Sequence, residues 1–549
     1  MKGKLAKKLI SVALCASMIV TGGCSAKSTK DDNTVNDMAA NSDENAGKVS
    51  SNEESGNSEG EAEVDDSIWE VNMSDIETAT IDAGAAVHDP SIIKVDGSYY
   101  IFGSHMTGAV STDLRHFEYI GNGYANGNKL FDNLLSCEEA FAYAGSATSL
   151  IPTDDGTRHV WAEDVFYNET TGLYYMYFCM SSTWNASNLC FATSENIDGP
   201  YTWRKALIYS GFTSDTIDGT DVCDYVEKEE ALSRYTTKSG TEYNYNDYPN
   251  AIDPTVFYDE DGRIWMVYGS WSGGIYLIEI DPETGECIHP EENADENVDA
   301  YFGKRLIGGK HRSIEGPWIE YDEDAGYYYL FVSYGSLNRD GGYQIRVFRS
   351  ETVDGEYVDM NGNTCAYDSG NHKYQGLKLT GNYYLPSMDT AAMATGHNSA
   401  LIDDDGKKYI CYHTRFDDGT ENFKDRVKQY FLNKEGWPCM LPYATSGETI
   451  ENVTSSDVVG TYYVVNQGIE IDSEIAEPFM LQLLDDYTVK GDAIEGTWSL
   501  EDGSYYMTIS YGDETYSGVF CEQTDDAGTN VMTFTAVGSN MSLWGVHYY

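Results

Sequence analysis

The sequence predicts an all-β chain: a five-bladed β-propeller followed by a small C-terminal β domain, barrel or sandwich. Three observations predict it. A two-strand pattern occurs five times, long helical periodicity is scarce, and the chain carries 44 Tyr and 10 Trp, types favoured in strands. The clearest copy runs from Asn250 to Asp281, NAIDPTVFYDEDGRIWMVYGSWSGGIYLIEID. A polar lead ending in Asp253-Pro254 precedes an apolar run, an acidic turn closing on Gly262 and a second apolar run, which reads as an antiparallel hairpin. The other four leads are Asp89-Pro90, Trp161-Ala162-Glu163-Asp164, Glu315-Gly316-Pro317 and His397-Asn398. A four-stranded blade takes about 40–50 residues, which these spacings allow. Hairpins this apolar are unstable alone, but stacked around an axis they cover one another. Each lead then sits on an innermost strand, and Asp89, Asp164, Asp253, Glu315 and His397 are expected to be neighbours.

Taken in order, residues 1–24 read as a lipoprotein signal. A basic MKGKLAKK and an apolar run from Leu9 to Val20 precede Thr21-Gly22-Gly23-Cys24. The run is too short to span a bilayer. Cys24 is the expected lipidation site, although Thr21 stands where a lipobox usually has an aliphatic residue. The expected location is the surface of a bacterium, with free secretion as the alternative. Residues 25–74, rich in Ser, Asn, Asp, Glu and Gly, bury too little apolar surface to offset ordering entropy and read as a flexible acidic tether. The propeller is expected over 75–445 and the C-terminal domain over 446–549.

The balance of 90 acidic against 34 basic residues, a net charge of -56, excludes a nucleic-acid partner, whose phosphates would be repelled. It fits an extracellular protein handling a neutral ligand. No C-x-x-C pair occurs among the 11 cysteines, so a zinc site is not expected. Cys179 and Cys411 fall in apolar runs and read as buried thiols, with a Cys179–Cys190 bridge as the alternative. The insertions 121–145 and 210–248 exceed hairpin loops and are candidate functional loops.

Asp89, Asp253 and Glu315 lead three of the five hairpins. Glycosidic bond cleavage needs a carboxylic acid to protonate the leaving oxygen and a carboxylate to activate water or attack the sugar. A nearby negative charge and burial keep such an acid protonated near neutrality. Glu315, beside Pro317 and Trp318, is the favoured acid, with Asp253 as the neighbouring charge and Asp89 as the base; spacing alone leaves the roles interchangeable. Singly, each Asp-Pro is also a common turn dipeptide, and a lone His397 is most often a core histidine. Three acidic leads among five matched hairpins favour the functional reading. The Asp-rich turns 259–262 and 403–406 lack a full calcium-loop pattern and read as hairpin turns.

The segments VHDPSIIKVDGSYYIFGSH, NAIDPTVFYDEDGRIWMVYGSWSGG, SIEGPWIEYD, GGYQIRVFRS and GHNSALIDDDGKKYICYHTRF, spread from Val87 to Pro442, carry a resemblance to glycoside hydrolase family 43. The likeness is to its endo-α-1,5-L-arabinanases with an added C-terminal β domain. The resemblance implies a five-bladed propeller, an axial active site and an inverting mechanism. By motif position Asp89 matches the general base, Glu315 the general acid and Asp253 the carboxylate that tunes the acid. His397 matches a histidine associated with an axial metal ion, usually calcium. Asn250, Ile252, Ser270, Trp271 and Ser272 match substrate-contacting segments; His311 and Arg312 lie just upstream of the acid, and Trp161 is a candidate stacking platform. Glu163 stands where relatives often carry Pro, and the long acidic insertion from Thr213 to Asn246 is expected to reshape the groove. The implied partners are arabinan or pectin-derived arabino-oligosaccharides, met by a monomer whose membrane contact is its lipid anchor. Two rival readings are an exo-acting α-L-arabinofuranosidase or β-xylosidase, and a non-catalytic glycan-binding lipoprotein.

Overall fold

The computed structural model describes residues 72–549 apart from 125–126, 152–157 and 184; Cys24 and most of the acidic tether lie outside the described residues. Five antiparallel sheets form the propeller. Blade 1 comprises Ser91–Val95, Ser98–Gly103, Thr107–Ser111 and Glu118–Gly121; blade 2 comprises Val160–Asn168, Leu173–Thr183, Ala186–Ser194 and Thr202–Ser210. Blade 3 is built on Thr255–Tyr258, Ile264–Tyr268, Ile275–Ile280 and Gly303–Ile307, with short pairs at its edge. Blade 4 runs from Ile314–Asp322 through Tyr327–Tyr334 and Gln344–Ser350 to Leu377–Thr380; blade 5 runs from Ala392–Ile402 through Lys408–Phe416 and Lys424–Leu432 to Pro438–Met440. The first strands touch in the order 1–2–3–4–5 and back to 1, so they are the inner ring.

Every inner strand has a left-handed residue in or just before it: Asp89 (φ 58°), Ala162 (51°), Asp253 (56°), Gly316 (56°) and His397 (49°), with a second, Ala394 (48°), in blade 5. All but Gly316 carry a side chain, and each of these costs roughly 1–2 kcal/mol that the surrounding packing must offset. In blades 2, 4 and 5 the pairing slips at the same place, between Trp161 and Asp164, between Glu315 and Trp318, and around Gly396. Bulges of this kind bend a strand and re-aim its side chains.

Just beyond these positions a ring of hydrogen bonds joins neighbouring blades. Ser91 Oγ donates to Asp164 Oδ1, and the Val256 amide donates to Asp164 Oδ2 at 2.8 Å. Thr255 Oγ1 donates to the Pro317 carbonyl at 3.0 Å, and the His397 amide to Ser333 Oγ at 2.7 Å. Ser399 Oγ donates to the Pro90 carbonyl at 2.8 Å and accepts from the Ile92 amide at 3.1 Å. The seam between blades 5 and 1 gains a Lys94–Asp403 ion pair and a Tyr99 hydroxyl donated to Asp403 at 2.5 Å. Asp403 belongs to one of the Asp-rich hairpin turns.

One expectation is corrected by the fold. Asp164 does not join the axial group: it lies two residues past the left-handed position, level with Ser91, Thr255 and Ser399, and its carboxylate bridges blades 1 and 3. Cys179 and Cys411 are buried free thiols, as the sequence predicts, and Cys190 is free as well, so the alternative Cys179–Cys190 bridge is not formed.

The C-terminal unit is a closed barrel of eight strands, from Gly460–Asn466 to Met541–His547, with the first paired to the last. Its interior is filled by Tyr462, Leu481, Trp498, Phe520 and Phe534. Its outer face, including Val465, Val519 and Trp544, shares one core with Leu377, Tyr383 and Met440 of the propeller side. Lys428 is buried there, its ammonium 4.4 Å from the Tyr383 ring and 4.1 Å from the Trp544 ring, and Arg426 pairs with Asp526 at 2.8 Å.

Replacing the Asp164 carboxylate leaves the Val256 amide and Ser91 hydroxyl buried without partners. Asp164→Ala is expected to lower unfolding stability by about 2–3 kcal/mol, whereas Asp164→Asn, which keeps an acceptor and a donor, loses under about 1 kcal/mol. Urea midpoints check this; equal losses in the two variants would remove Asp164 from the blade linkage.

Candidate active site

The inner-strand bulges gather Asp89, Asp253, Glu315 and His397. Asp89 is clasped by imidazoles on both carboxylate oxygens: His397 Nδ1 lies 2.9 Å from Oδ1 and His88 Nδ1 lies 2.8 Å from Oδ2. Ser104 Oγ also donates to Oδ2, and the Asp89 amide donates to His413 Nδ1 at 3.2 Å. Burial alone would raise Asp89; the His397 and His88 rings more than offset it and hold the carboxyl well below the usual carboxylate range. This group is poised as an anion.

Glu315 and Asp253 are pushed the other way. Burial raises both, and Asp253 is raised further by the Glu315 and Asp89 charges while His397 works against the shift. Glu315 is likewise raised by burial and by Asp89, against His397 and the Tyr343 and Ser270 hydroxyls. Both carboxyls are thus drawn toward their protonated forms. Ser270 Oγ donates to Glu315 Oε2 at 2.9 Å, and the Gly316 amide donates to Asp253 Oδ2 at 3.2 Å. That second bond ties Asp253 to the backbone of the residue following Glu315. A carboxyl biased toward its anion beside carboxyls biased toward their acid forms is the division of labour that acid–base hydrolysis of an acetal requires.

His397 is lowered by burial but raised more by Asp89 and Asp253, up to about 9, so it carries positive charge among the three acids. Its ring packs on Gly316, where an added Cβ would come 3.2 Å from Cγ. Oxygen ligands suit calcium, and buried polar atoms near this level lack hydrogen-bond partners: both amide atoms of Asn398, Glu163 Oε2 and His413 Nε2. Asn398 and Glu163 occupy the position after the left-handed residue, where blades 1, 3 and 4 have Pro90, Pro254 and Pro317. Two hard oxygen donors on that rung, with His397 beside them, fit a hydrated calcium ion. The tighter group of His88, Asp89 and His413, with ligand atoms within 4.8 Å of one another, is nitrogen-rich and better matched to a softer ion.

The expected substrate contacts divide. Trp271 (φ 49°) and Ser272 (φ 24°) face Lys310 (φ 57°) and His311 (φ 55°), four left-handed residues joined by the His311 amide donating to the Ser272 carbonyl at 2.8 Å. The Trp271 and His311 rings lie 5.2 Å apart, and Tyr245, from the end of the insertion, packs 5.4 Å from His311. Strain of this density marks a built site. Trp161, half-buried, stacks on His159 at 5.4 Å. Asn250 is buried and accepts from Ser210 Oγ at 3.3 Å, and Ile252, partly buried, accepts the Gly269 amide on its carbonyl at 2.9 Å. Arg312, expected near substrate, instead directs its guanidinium to the carbonyls of Ala366, Tyr367 and Ser369. It anchors the 366–369 loop.

Sequence reasoning missed His88, Ser104, His413 and Tyr343. His88 had a signal in its place directly before Asp89. The others come from second or third strands, where nothing in the hairpin pattern distinguishes them from sheet residues.

A profile of glycosyl hydrolases family 43 matches residues 225–438, and one for a C-terminal lipocalin-like domain of that family matches residues 442–545. The chain is 36% identical to the extracellular endo-α-(1→5)-L-arabinanase 2 of Bacillus subtilis, over 84% of this chain and 92% of the relative. It is 37% identical to the extracellular endo-α-(1→5)-L-arabinanase of Thermotoga petrophila, over 84% of this chain and 93% of the relative. The crystal structure of the Thermotoga petrophila endo-1,5-α-L-arabinanase superposes with a TM-score of 0.73 at 35% identity, covering 86% of this chain and 100% of that one.

The clasp on Asp89 makes a local prediction. His88→Ala removes one imidazole and leaves a buried carboxylate less compensated, so thermal stability is expected to fall at neutral pH by about 1–3 kcal/mol. Calorimetry checks it; an unchanged melting temperature would show that His88 contributes no net support.

Proposed function

The chain belongs to glycoside hydrolase family 43, and from that membership we propose an extracellular endo-α-1,5-L-arabinanase that cleaves internal linkages of arabinan with inversion. The observation that carries the reading is the axial group in which Asp89 lies against His397 and His88 while Glu315 and Asp253 are held beside it by Ser270 and the Gly316 amide. In the proposed reaction Glu315, protonated, gives its proton to the glycosidic oxygen as the bond to the anomeric carbon breaks. Asp89 takes a proton from a water attacking that carbon on the opposite face, and Asp253 keeps Glu315 protonated and oriented. An inverting site separates acid and base by roughly 6.5–9.5 Å to admit the water. Trp271, His311 and Trp161 supply flat faces on which furanose rings stack.

One calcium ion is proposed on the axis; His397, in its neutral form, would hold it with water completing the shell, and the ion would supply to the acidic group the positive charge that the imidazolium otherwise carries. Anchoring through Cys24 and action as a monomer are part of the same reading. The support for an extracellular setting is the naming of the relatives and the acidic composition. The exo-acting rival uses the same triad and is separated by product length.

Glu315→Ala and Asp89→Ala are each expected to lose about 10²–10⁴-fold in kcat on linear arabinan, measured by release of arabino-oligosaccharides; retention of activity in either would reject the assignment. Wild-type digests should give a spread of oligomers, and monosaccharide alone would favour the exo-acting rival. Proton NMR of the first product should show inverted configuration, and a retained anomer would overturn the single displacement. Metal analysis after dialysis against calcium should find about one ion per chain in wild type and a loss in His397→Ala; equal content in both would remove His397 as the ligand.

A further inference from the structure

The barrel reaches the acid through one short path. Tyr343 is fully buried on the third strand side of blade 4; its hydroxyl faces the Glu315 charge and has no hydrogen-bond partner. Its ring lies against Gly396, where an added Cβ would come within 2.2 Å of it. Gly396 directly precedes His397, so Tyr343 fills the space between the acid of blade 4 and the lead of blade 5. No freedom remains on that side.

The backbone carrying Tyr343 is fixed from behind. At Gly341 an added Cβ would lie 2.1 Å from the Ser336 carbonyl oxygen, and at Gly342 (φ 67°) 2.7 Å from the Asp472 carbonyl oxygen. Asp472 belongs to the barrel, in the loop between its first two strands, Gly460–Asn466 and Phe479–Leu483. The carbonyls of this loop take the buried donors of blade 4. Gln344 Nε2 donates to Glu470 at 2.9 Å, Lys378 Nζ to Glu470 at 3.2 Å, and Arg346 to Ile469. Arg346 is completely buried and also donates to Gln344 Oε1 at 2.9 Å. Farther along, the Ala476 amide donates to the Asn382 carbonyl at 3.0 Å, and Asn382 Oδ1 accepts from the Ala394 amide at 2.8 Å, on the inner strand of blade 5. The loop thus braces both strands that Tyr343 touches.

We propose that the C-terminal barrel is a positioning device for proton donation: its Ile469–Ala476 loop sets the Gly342–Gln344 backbone so that the Tyr343 hydroxyl holds the Glu315 carboxyl toward the departing sugar oxygen. The proposal rests on Glu315 being the general acid. Tyr343 acts through Glu315 and touches no reacting atom. The barrel's packed interior agrees, since it leaves the loop and the shared wall, rather than the lumen, to contribute to function.

Leaving-group dependence tests this, because a departing group of low basicity needs little protonation. Full-length Tyr343→Phe keeps the ring against Gly396. It is expected to lose about tenfold in kcat on linear arabinan with KM unchanged, and under about twofold on arabinotriose carrying a 2,4-dinitrophenyl aglycone. Gly342→Ala, which presses on Asp472 of the barrel loop, is expected to show the same selective loss. Equal losses on both substrates, or a rise in KM at unchanged kcat, would overturn the proposal. Glu315→Ala in the same assay separates premise from inference: a large loss on arabinan largely spared with the activated aglycone supports the acid role. If Glu315→Ala loses equally on both, the acid assignment falls and this proposal with it.

Discussion

Three largely buried carboxyl groups share the axis, and the rest of the site follows from how their mutual repulsion is resolved. One acid, Asp89, receives two imidazoles and stays charged. The other two, Asp253 and Glu315, are left with each other and are drawn toward their protonated forms. Removing solvent raises the cost of like charges, so the same burial that strains the arrangement also differentiates chemically identical groups. His397 sits where it touches Asp89 and bears on the other two, and its charge decides which acid is ionised.

The backbone meets the demand with a repeated device. Each inner strand has a left-handed residue in or just before it, and three add a slip in pairing, so the chain turns its lead side chain out of the sheet alternation. Pro follows in three blades because the segment donates no ladder hydrogen bond there. Asn398 and Glu163 follow in the other two, and each keeps a buried side-chain oxygen without a hydrogen-bond partner. Function is placed at the strained end of an otherwise regular hairpin, which is where strain is tolerated when neighbouring blades lock it.

Much of this was legible in the residues. Alternating apolar runs around Gly-closed turns gave the hairpins, and five of them gave the ring; acidic leads pointed to its centre. Asp164 misled because it looks like a lead, yet the slip between Trp161 and Asp164 shifts it past the axis into the link between blades. That slip depends on pairing with Cys179 and Tyr177, which local pattern does not encode. Arg312 misled similarly: its proximity to Glu315 in sequence says nothing of the three carbonyls it meets. Tyr343 and His413 were invisible because their partners lie dozens of residues away. The barrel was recognisable from its short strands, but its loop against Gly342 is a tertiary contact with no local signature.

Each blade consists of consecutive strands, and side chains alone close the circle between the first and the last. A sheet that waits for no distant strand can complete its hydrogen bonding as it emerges during synthesis, one blade after another. Only the seam held by Ser399 and Asp403 must wait for the fifth. Vectorial assembly of this kind leaves few long-lived bare sheet edges.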